Sequence, residues 1–290
     1  MAAPRFSRES VSDLVLRGLH DLPPLSDVVT KTLEATERES TTAAEIERLV
    51  SADVALSAKI LRVVNSAYYG LAGEVFSLNQ AVVVLGMQQI RNLVLSVSVL
   101  GLLKSQTPEL QATQQRLWMH SFSSAACAQA LARMFKFGPR DSEAVSTAGL
   151  LHSIGKLYLF SAVTEEYVAF CERAAAAGEP TDAREKEVFG MGHEEIGGLL
   201  AEKWHFPETL RDLIAQHEGP FDEDAPSLLL AVHVADRLTS PGYDGVSEEF
   251  DMDPIAEKWL NTAPGARAVV IAEMEAKIAE ASELFGVLLQ

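Results

Sequence analysis

The sequence predicts an all-α protein, and three observations carry that expectation. Apolar residues recur at the helical period along almost the whole chain instead of alternating as they do in strands. No Asn-Gly or Asp-Gly pair lies between alternating apolar runs; Asp244-Gly245 sits in a polar loop. Prolines, among them Pro23-Pro24, Pro108, Pro139, Pro207, Pro226 and Pro254, punctuate the chain at intervals of ordinary helix length.

The elements follow in order. An amino-terminal bundle occupies 1–108 and ends at the Ser105–Pro108 punctuation, with helices expected at Ser26–Glu39, Ala43–Ser51, Val54–Ser66, Leu78–Gly86 and Gln88–Leu103. Thr41 or Thr42 caps the second of these, with Glu45 placed to reach back in a capping box. Asn65 and Ser66 close the helix from Val54, and Tyr68 and Tyr69 in the following turn pack between bundles. The other reading of Asn65, Tyr68 and Tyr69 is a contact surface for a partner. A second bundle, 109–240, holds most of the histidines. The remainder, 241–290, is a polar loop from Pro241 to Phe250 and a tail. In the tail Met274, Ile278, Ala281, Phe285 and Leu288 form one apolar stripe. Such a stripe docks on its own domain or forms the seam of a homodimer.

Composition narrows the function. The 290 residues are 48% hydrophobic, enough for a sizeable core. The net charge of −17 argues against a nucleic-acid backbone or an anionic membrane as the main partner, because both demand a positive surface. The apolar run Leu93–Leu103 is too short for a bilayer, which takes about 20 residues, and the first residues carry no secretory apolar block. Cys127 and Cys171 form no disulfide framework. A cytoplasmic protein is expected.

The stretch GLLHSIGKLYLF, Gly149–Phe160, reads as the later part of a buried helix with His152 in its middle. Other polar residues also fall on apolar faces. His120 shares a face with Leu117 and Leu131, His193 with Ile196 and Leu200, His217 with Leu213 and Ile214, and Asp236 with Leu229 and Val232. A single core histidine is ordinarily a hydrogen-bonded core residue. Several on separate helices, with an aspartate, face one another or share a cation such as Zn²⁺, Fe or Mn²⁺, since a buried imidazole or carboxylate without a partner costs several kcal/mol.

At these residues the sequence resembles the HD superfamily of metal-dependent phosphohydrolases, and its neighbourhood resembles the HDOD domain. The resemblance rests on Leu22–Pro24, on VSADVALSAKILRVVNSAYYG (Val50–Gly70), on LNQAVVVLGMQQIRNLVL (Leu78–Leu95), on GHEEIGGLLAEKWHFP (Gly192–Pro207) and on IAQHE (Ile214–Glu218). It covers roughly Leu22 to Leu238. It implies an amino-terminal helical bundle packed on a degenerate HD-type bundle, and a role in bacterial signalling, often without demonstrated catalysis and in some members linked to cyclic-di-GMP. By the same resemblance His120, His152 and Asp236 match metal-ligand positions. His193 and His217 match extra histidines of the HD-GYP phosphodiesterase branch. Gln216 replaces one of that branch's histidines, and the GYP-type sequence is absent. Lys156 matches a lysine that contacts substrate phosphate in active relatives; the plain alternative is a helix-surface lysine.

Ser153 stands where the superfamily has its name-giving aspartate. A serine hydroxyl is neutral and cannot bridge two ions as a carboxylate does. Two histidines and one carboxylate can still hold a single divalent ion with an open position. The sequence therefore predicts a non-enzymatic regulatory module with a relic metal site, no required cofactor, and signalling proteins as partners. The alternative is a metal-dependent phosphohydrolase or phosphodiesterase acting on a nucleotide or cyclic dinucleotide; a nucleotide held without turnover is a third reading.

Overall fold

The computed structural model describes residues 8–36, 38, 40–66, 69, 71, 73–102, 108–177, 179, 181–240 and 252–273. Among them every regular element is helical and no strand occurs. The helices are α1 (Arg8–Asp21), α2 (Asp27–Thr36), α3 (Ala43–Val50), α4 (Val54–Val64), α5 (Leu78–Leu85), α6 (Met87–Leu102), α7 (Pro108–Met134), α8 (Pro139–Leu151), α9 (Ile154–Ala162), α10 (Thr164–Ala177), α11 (Asp182–Phe189), α12 (His193–Lys203), α13 (Glu208–Gln216), α14 (Ser227–Thr239) and α15 (Pro254–Leu260). Residues 266–273 are also helical. The described residues form two compact units, 23–102 and 8–22 with 108–273.

In the first unit α6 is the central helix. Ile90, Leu93, Val94, Leu95 and Val99 are buried, and α2, α4 and α5 pack on it. The most apolar run of the sequence is thus a core helix. No helix among the described residues is long and apolar enough to cross a membrane. Thr42 caps α3 by accepting from the Glu45 N–H at 3.2 Å. The carboxylate of Glu45 does not reach back to close a capping box; it accepts from Arg38 at 2.6 Å. Asn65, proposed as helix cap or contact residue, clamps the chain. Its Oδ1 accepts from the Val75 N–H at 2.7 Å, and its Nδ2 donates to the carbonyls of Val75 and Leu61 at 2.8 and 3.0 Å. Tyr69 is half-buried, and Tyr68 lies outside the described residues.

The second unit is built on α7, α8 and α14, with α12 packed between α9 and α13. Two boundaries differ from the sequence expectation. First, α1, which lies within the 1–108 expected for the amino-terminal bundle, belongs to this unit and packs on α9 and α11. Val11, Val15 and Leu19 bury its apolar face. The Val15 carbonyl accepts from the Tyr158 hydroxyl at 2.6 Å, and those of Leu19 and His20 accept from Lys203 at 2.9 and 2.7 Å. Lys203 thereby serves carbonyls that a helix end leaves without intrahelical partners. Second, 252–273 is part of the same unit instead of a separate extension. Trp259 stacks on Phe135 at a centroid distance of 3.9 Å. The loop 241–250 and the stripe residues Met274 to Leu288 lie outside the described residues.

Candidate metal centre

The helix predicted through Gly149–Phe160 is broken. α8 ends at Leu151, the His152 N–H donates to the Ala148 carbonyl at 2.7 Å, and α9 begins at Ile154. The break turns both His152 and Ser153 inward, where both are fully buried. Two glycines permit it. A Cβ on Gly149 would stand 2.9 Å from the Ser124 carbonyl oxygen of α7, and one on Gly155 would stand 2.0 Å from the His193 carbonyl oxygen of α12. Both helices can approach this closely only because those positions carry no side chain.

Three atoms of metal-ligand type meet at this break. His120 Nε2 and His152 Nε2 are 2.9 Å apart, and Asp236 Oδ1 lies 3.0 and 3.2 Å from them. The other ring nitrogen of His152 settles its tautomer. His152 Nδ1 lies 2.7 Å from the Gly149 carbonyl oxygen, which has no proton to give, so Nδ1 donates and Nε2 keeps its lone pair. His120 Nδ1 lies 3.1 Å from Thr239 Oγ1. Thr239 Oγ1 also lies 2.9 Å from the carbonyls of Ala235 and Asp236 and 2.7 Å from Ser124 Oγ, so its one proton goes either to a carbonyl, when it accepts from His120 Nδ1, or to His120 itself. Protonation of His120 is no escape: burial lowers its pKa to about 4 despite the hydrogen bond to Asp236. Burial also works against the charge of Asp236, but Arg237 and the two imidazoles outweigh it and hold its carboxyl well below the usual range.

Two imidazole nitrogens and a carboxylate oxygen within 3.2 Å of one another need a proton or a cation among them, and a proton on His120 Nε2 donated to Asp236 or a divalent ion would serve. Ligands of a tetrahedral Zn²⁺ at ordinary bond lengths stand roughly 3.3 Å apart, so this donor set fits a small divalent ion. Asp236 Oδ2, buried without a hydrogen-bond partner, points the same way. Ser153 Oγ donates to His152 Nε2 at 2.8 Å, and Ser240 Oγ lies 3.4 Å from Asp236 Oδ1.

The neighbouring set behaves differently. His193 Nδ1 donates to Glu185 Oε2 at 2.7 Å, and the same oxygen accepts the His193 backbone N–H at 2.8 Å. Burial opposes protonation of His193, but Glu185 and then Asp182 raise its pKa to about 9. It is therefore an imidazolium near neutrality, and its Nε2 donates to His217 Nε2 at 3.2 Å. His217 Nδ1 donates to the Ile214 carbonyl at 2.8 Å, leaving Nε2 to accept. Burial, with His152 and His193 beside it, keeps His217 neutral. Glu218 Oε1 lies 3.5 Å from both Nε2 atoms. Burial and Asp182 raise its pKa to about 7, against Arg237. His193, His217 and Glu218 thus form a second group with metal-ligand spacing, as do Asp182, Glu185 and His193.

Lys156 is not the helix-surface lysine of the plain alternative. It is buried, and its Nζ lies 2.5 Å from Asp182 Oδ1. The other oxygen of Asp182 accepts from Arg237 Nη1 at 3.2 Å, while Arg237 Nη2 pairs with Glu218. Burial works against the charge of Asp182, but Lys156, His193 and Arg237 outweigh it. His233 is a satisfied core histidine: Nδ1 donates to the His217 carbonyl at 2.8 Å and Nε2 accepts from the Asp253 N–H at 3.1 Å.

The structure therefore brings His120, His152, Ser153 and Asp236 together, with His193, His217 and Lys156 alongside. Sequence reasoning missed Asp182, Glu185, Glu218, Arg237 and Thr239. Glu218 and Arg237 directly follow residues already singled out. Asp182 and Glu185 lie in DAREKEVF, which reads as a solvated helix. The available signal was their i, i+3, i+7 register with the buried Phe189.

A helical bundle with two histidines and an aspartate converging beside a helix break defines an HD-type domain. The family model described as "HDOD domain" matches residues 22–220, and the chain belongs to that family. It is similar to the crystal structure of an HDOD domain protein with unknown function from Geobacter sulfurreducens, with TM-score 0.73, 21% identity, and 97% of this chain and 98% of that one covered. It is also similar to a protein of Shewanella amazonensis SB2B named "Putative phosphohydrolase", with TM-score 0.68, 26% identity and coverage of 95% and 96%. An uncharacterized protein of Treponema pallidum (strain Nichols) is 28% identical over 204 residues, 69% of this chain. The chain spans 38% of that relative's length.

Proposed function

We propose that this chain is a non-enzymatic regulatory module of bacterial signalling, acting through protein–protein contact and retaining a centre able to hold one divalent ion. The observation that carries this reading is the Ser153 hydroxyl on His152 Nε2 at 2.8 Å. A carboxylate there would supply an anionic ligand and a bridge to a second ion; the hydroxyl supplies neither. When an ion is bound, it supplies Lewis acidity at the open face of His120, His152 and Asp236. The residues around it only hold those three ligands: the Gly149 carbonyl fixes the His152 tautomer, Thr239 holds the His120 ring, and Arg237 holds the charge of Asp236. A cyclic-di-GMP-linked circuit, signalling proteins as partners and a cytoplasmic location belong to the same proposal. With a net charge of −17, a shift assay at physiological salt is expected to show no duplex DNA binding.

The converged triad favours one second reading, a phosphohydrolase acting on a nucleotide or cyclic dinucleotide. Phosphomonoester and phosphodiester assays with added Mn²⁺, Fe²⁺ or Zn²⁺ separate the two. The module reading predicts no turnover above that of the His152→Gln variant. Metal-dependent turnover that His152→Gln abolishes would establish the hydrolase instead.

A further inference from the structure

The two imidazoles of the triad are held differently on their outer sides. His152 Nδ1 faces the Gly149 carbonyl at 2.7 Å. A carbonyl only accepts, so the neutral ring carries its proton on Nδ1 and keeps the Nε2 lone pair. His120 Nδ1 faces the Thr239 hydroxyl at 3.1 Å. A hydroxyl both donates and accepts, so this ring can carry its proton on either nitrogen.

Thr239 stands one turn after Asp236 on α14, and Ser124 one turn after His120 on α7. Their hydroxyls meet at 2.7 Å, and both side chains are buried. Thr239 Oγ1 also lies 2.9 Å from the carbonyls of Ala235 and Asp236. It has one proton and two lone pairs for these neighbours and His120. With Ser124 donating to it, two arrangements satisfy the group. In the first, Thr239 donates to His120 Nδ1, and the ring proton sits on Nε2, 3.0 Å from Asp236 Oδ1. In the second, Thr239 donates to a carbonyl of its own helix and accepts from His120 Nδ1, which leaves a lone pair on Nε2. Only the second lets Nε2 ligate a cation. Burial lowers the pKa of His120 to about 4, so the ring is neutral in both.

We propose that Thr239 is a positioning residue that lets His120 change tautomer when a divalent ion binds: Nε2–H bonded to Asp236 without the ion, Nδ1–H bonded to Thr239 with it. One proton leaves Nε2 for water and one is taken up from water at Nδ1. Thr239 keeps its own proton and swings it from the ring to a carbonyl. His152 needs no exchange, because the Gly149 carbonyl has already set its tautomer. The fixed ring presents a ready ligand; the adjustable ring lets the same buried side chains stay hydrogen-bonded when no ion is bound. This role rests on the reading that the centre holds one divalent ion, and it assigns the residue that accommodates both states.

The test uses the full chain with ¹⁵N-labelled histidine, stripped with chelator and titrated with Zn²⁺. Long-range ¹⁵N–¹H correlation spectra distinguish a ring protonated at Nε2 from one protonated at Nδ1, and His120→Gln identifies the His120 signals. Wild type is expected to pass from Nε2–H to Nδ1–H at His120 as Zn²⁺ binds, with His152 at Nδ1–H throughout. Thr239→Val, which keeps the shape and removes the hydroxyl, should weaken Zn²⁺ binding in calorimetry by about 10–100-fold, the scale for outer partners of metal ligands, and Thr239→Ser should restore it. The same His120 tautomer with and without Zn²⁺, or Thr239→Val binding Zn²⁺ as wild type does, would overturn the role while leaving the metal centre standing. The wild-type spectra decide even where Thr239→Val does not fold. No Zn²⁺ uptake by wild type would remove the centre and this role together.

Discussion

Two groups of buried polar side chains lie side by side in the second unit, and they are balanced in opposite ways. His120, His152 and Asp236 bring two imidazole nitrogens and a carboxylate oxygen together, with no full cation among the three side chains and with the Ser153 hydroxyl on His152. Lys156, Arg237 and the His193 imidazolium face Asp182, Glu185 and Glu218, so cations and carboxylates there answer one another. The first group has the spacing and donor set of a site for one small cation; the second sets cations against carboxylates. Metal-ligand spacing occurs in both, so spacing alone does not separate a metal centre from an ion network. The buried Lys156 and Arg237, set against Asp182 and Glu218, do.

The largest effect that tests this contrast is loss of a counter-ion. Asp182→Ala leaves Lys156 and Arg237 buried without their shared anion, and removing one partner of a buried ion pair costs roughly 3–5 kcal/mol. Denaturant unfolding at neutral pH in chloride measures it. A loss under about 1 kcal/mol, the worth of an exposed pair, would show the network to be solvated and the contrast void.

A smaller effect is expected at Ser153. Ser153→Asp adds an anionic ligand beside His152 and should tighten Zn²⁺ or Mn²⁺ binding by roughly tenfold or more, since even outer partners of metal ligands are worth 10–100-fold. In chelator the same carboxylate faces Asp236, so the variant should melt below wild type and recover with metal. Melting temperatures with chelator and with each ion measure both. An equal metal response in the two proteins would mean that the triad does not hold the ion.

The smallest effect lies in the other unit. Asn65→Ala removes the clamp on Val75 and should cost about 1–2 kcal/mol, the scale of its lost hydrogen bonds, while leaving metal affinity unchanged. Unfolding and metal titration of the same preparation check both halves. A changed metal affinity would tie the clamp to the centre.

The helical class was legible because helical period and proline punctuation are local signals. The five core-facing polar residues His120, His152, His193, His217 and Asp236 were legible because an apolar face betrays its polar member. The break at His152–Ser153 was not. It depends on Gly149 and Gly155 admitting the backbones of α7 and α12, which are distant in sequence. Asp182 escaped for a similar reason: DAREKEVF is polar enough to pass for a solvated helix until Lys156 and Arg237 arrive from two other helices. The place of α1 was hidden likewise, since Tyr158 and Lys203, which serve its carbonyls, lie far along the chain.

Metal stoichiometry tests the central contrast most directly. Chelator-stripped chain titrated calorimetrically with Zn²⁺ is expected to take up one ion per chain. At a free ion concentration 100-fold above Kd, that ion should stabilise the fold by about 2.7 kcal/mol. His152→Gln should abolish the uptake, and Glu218→Gln, which alters only the balanced network, should leave it in place. Two ions per chain, or one ion lost in Glu218→Gln and kept in His152→Gln, would contradict the account.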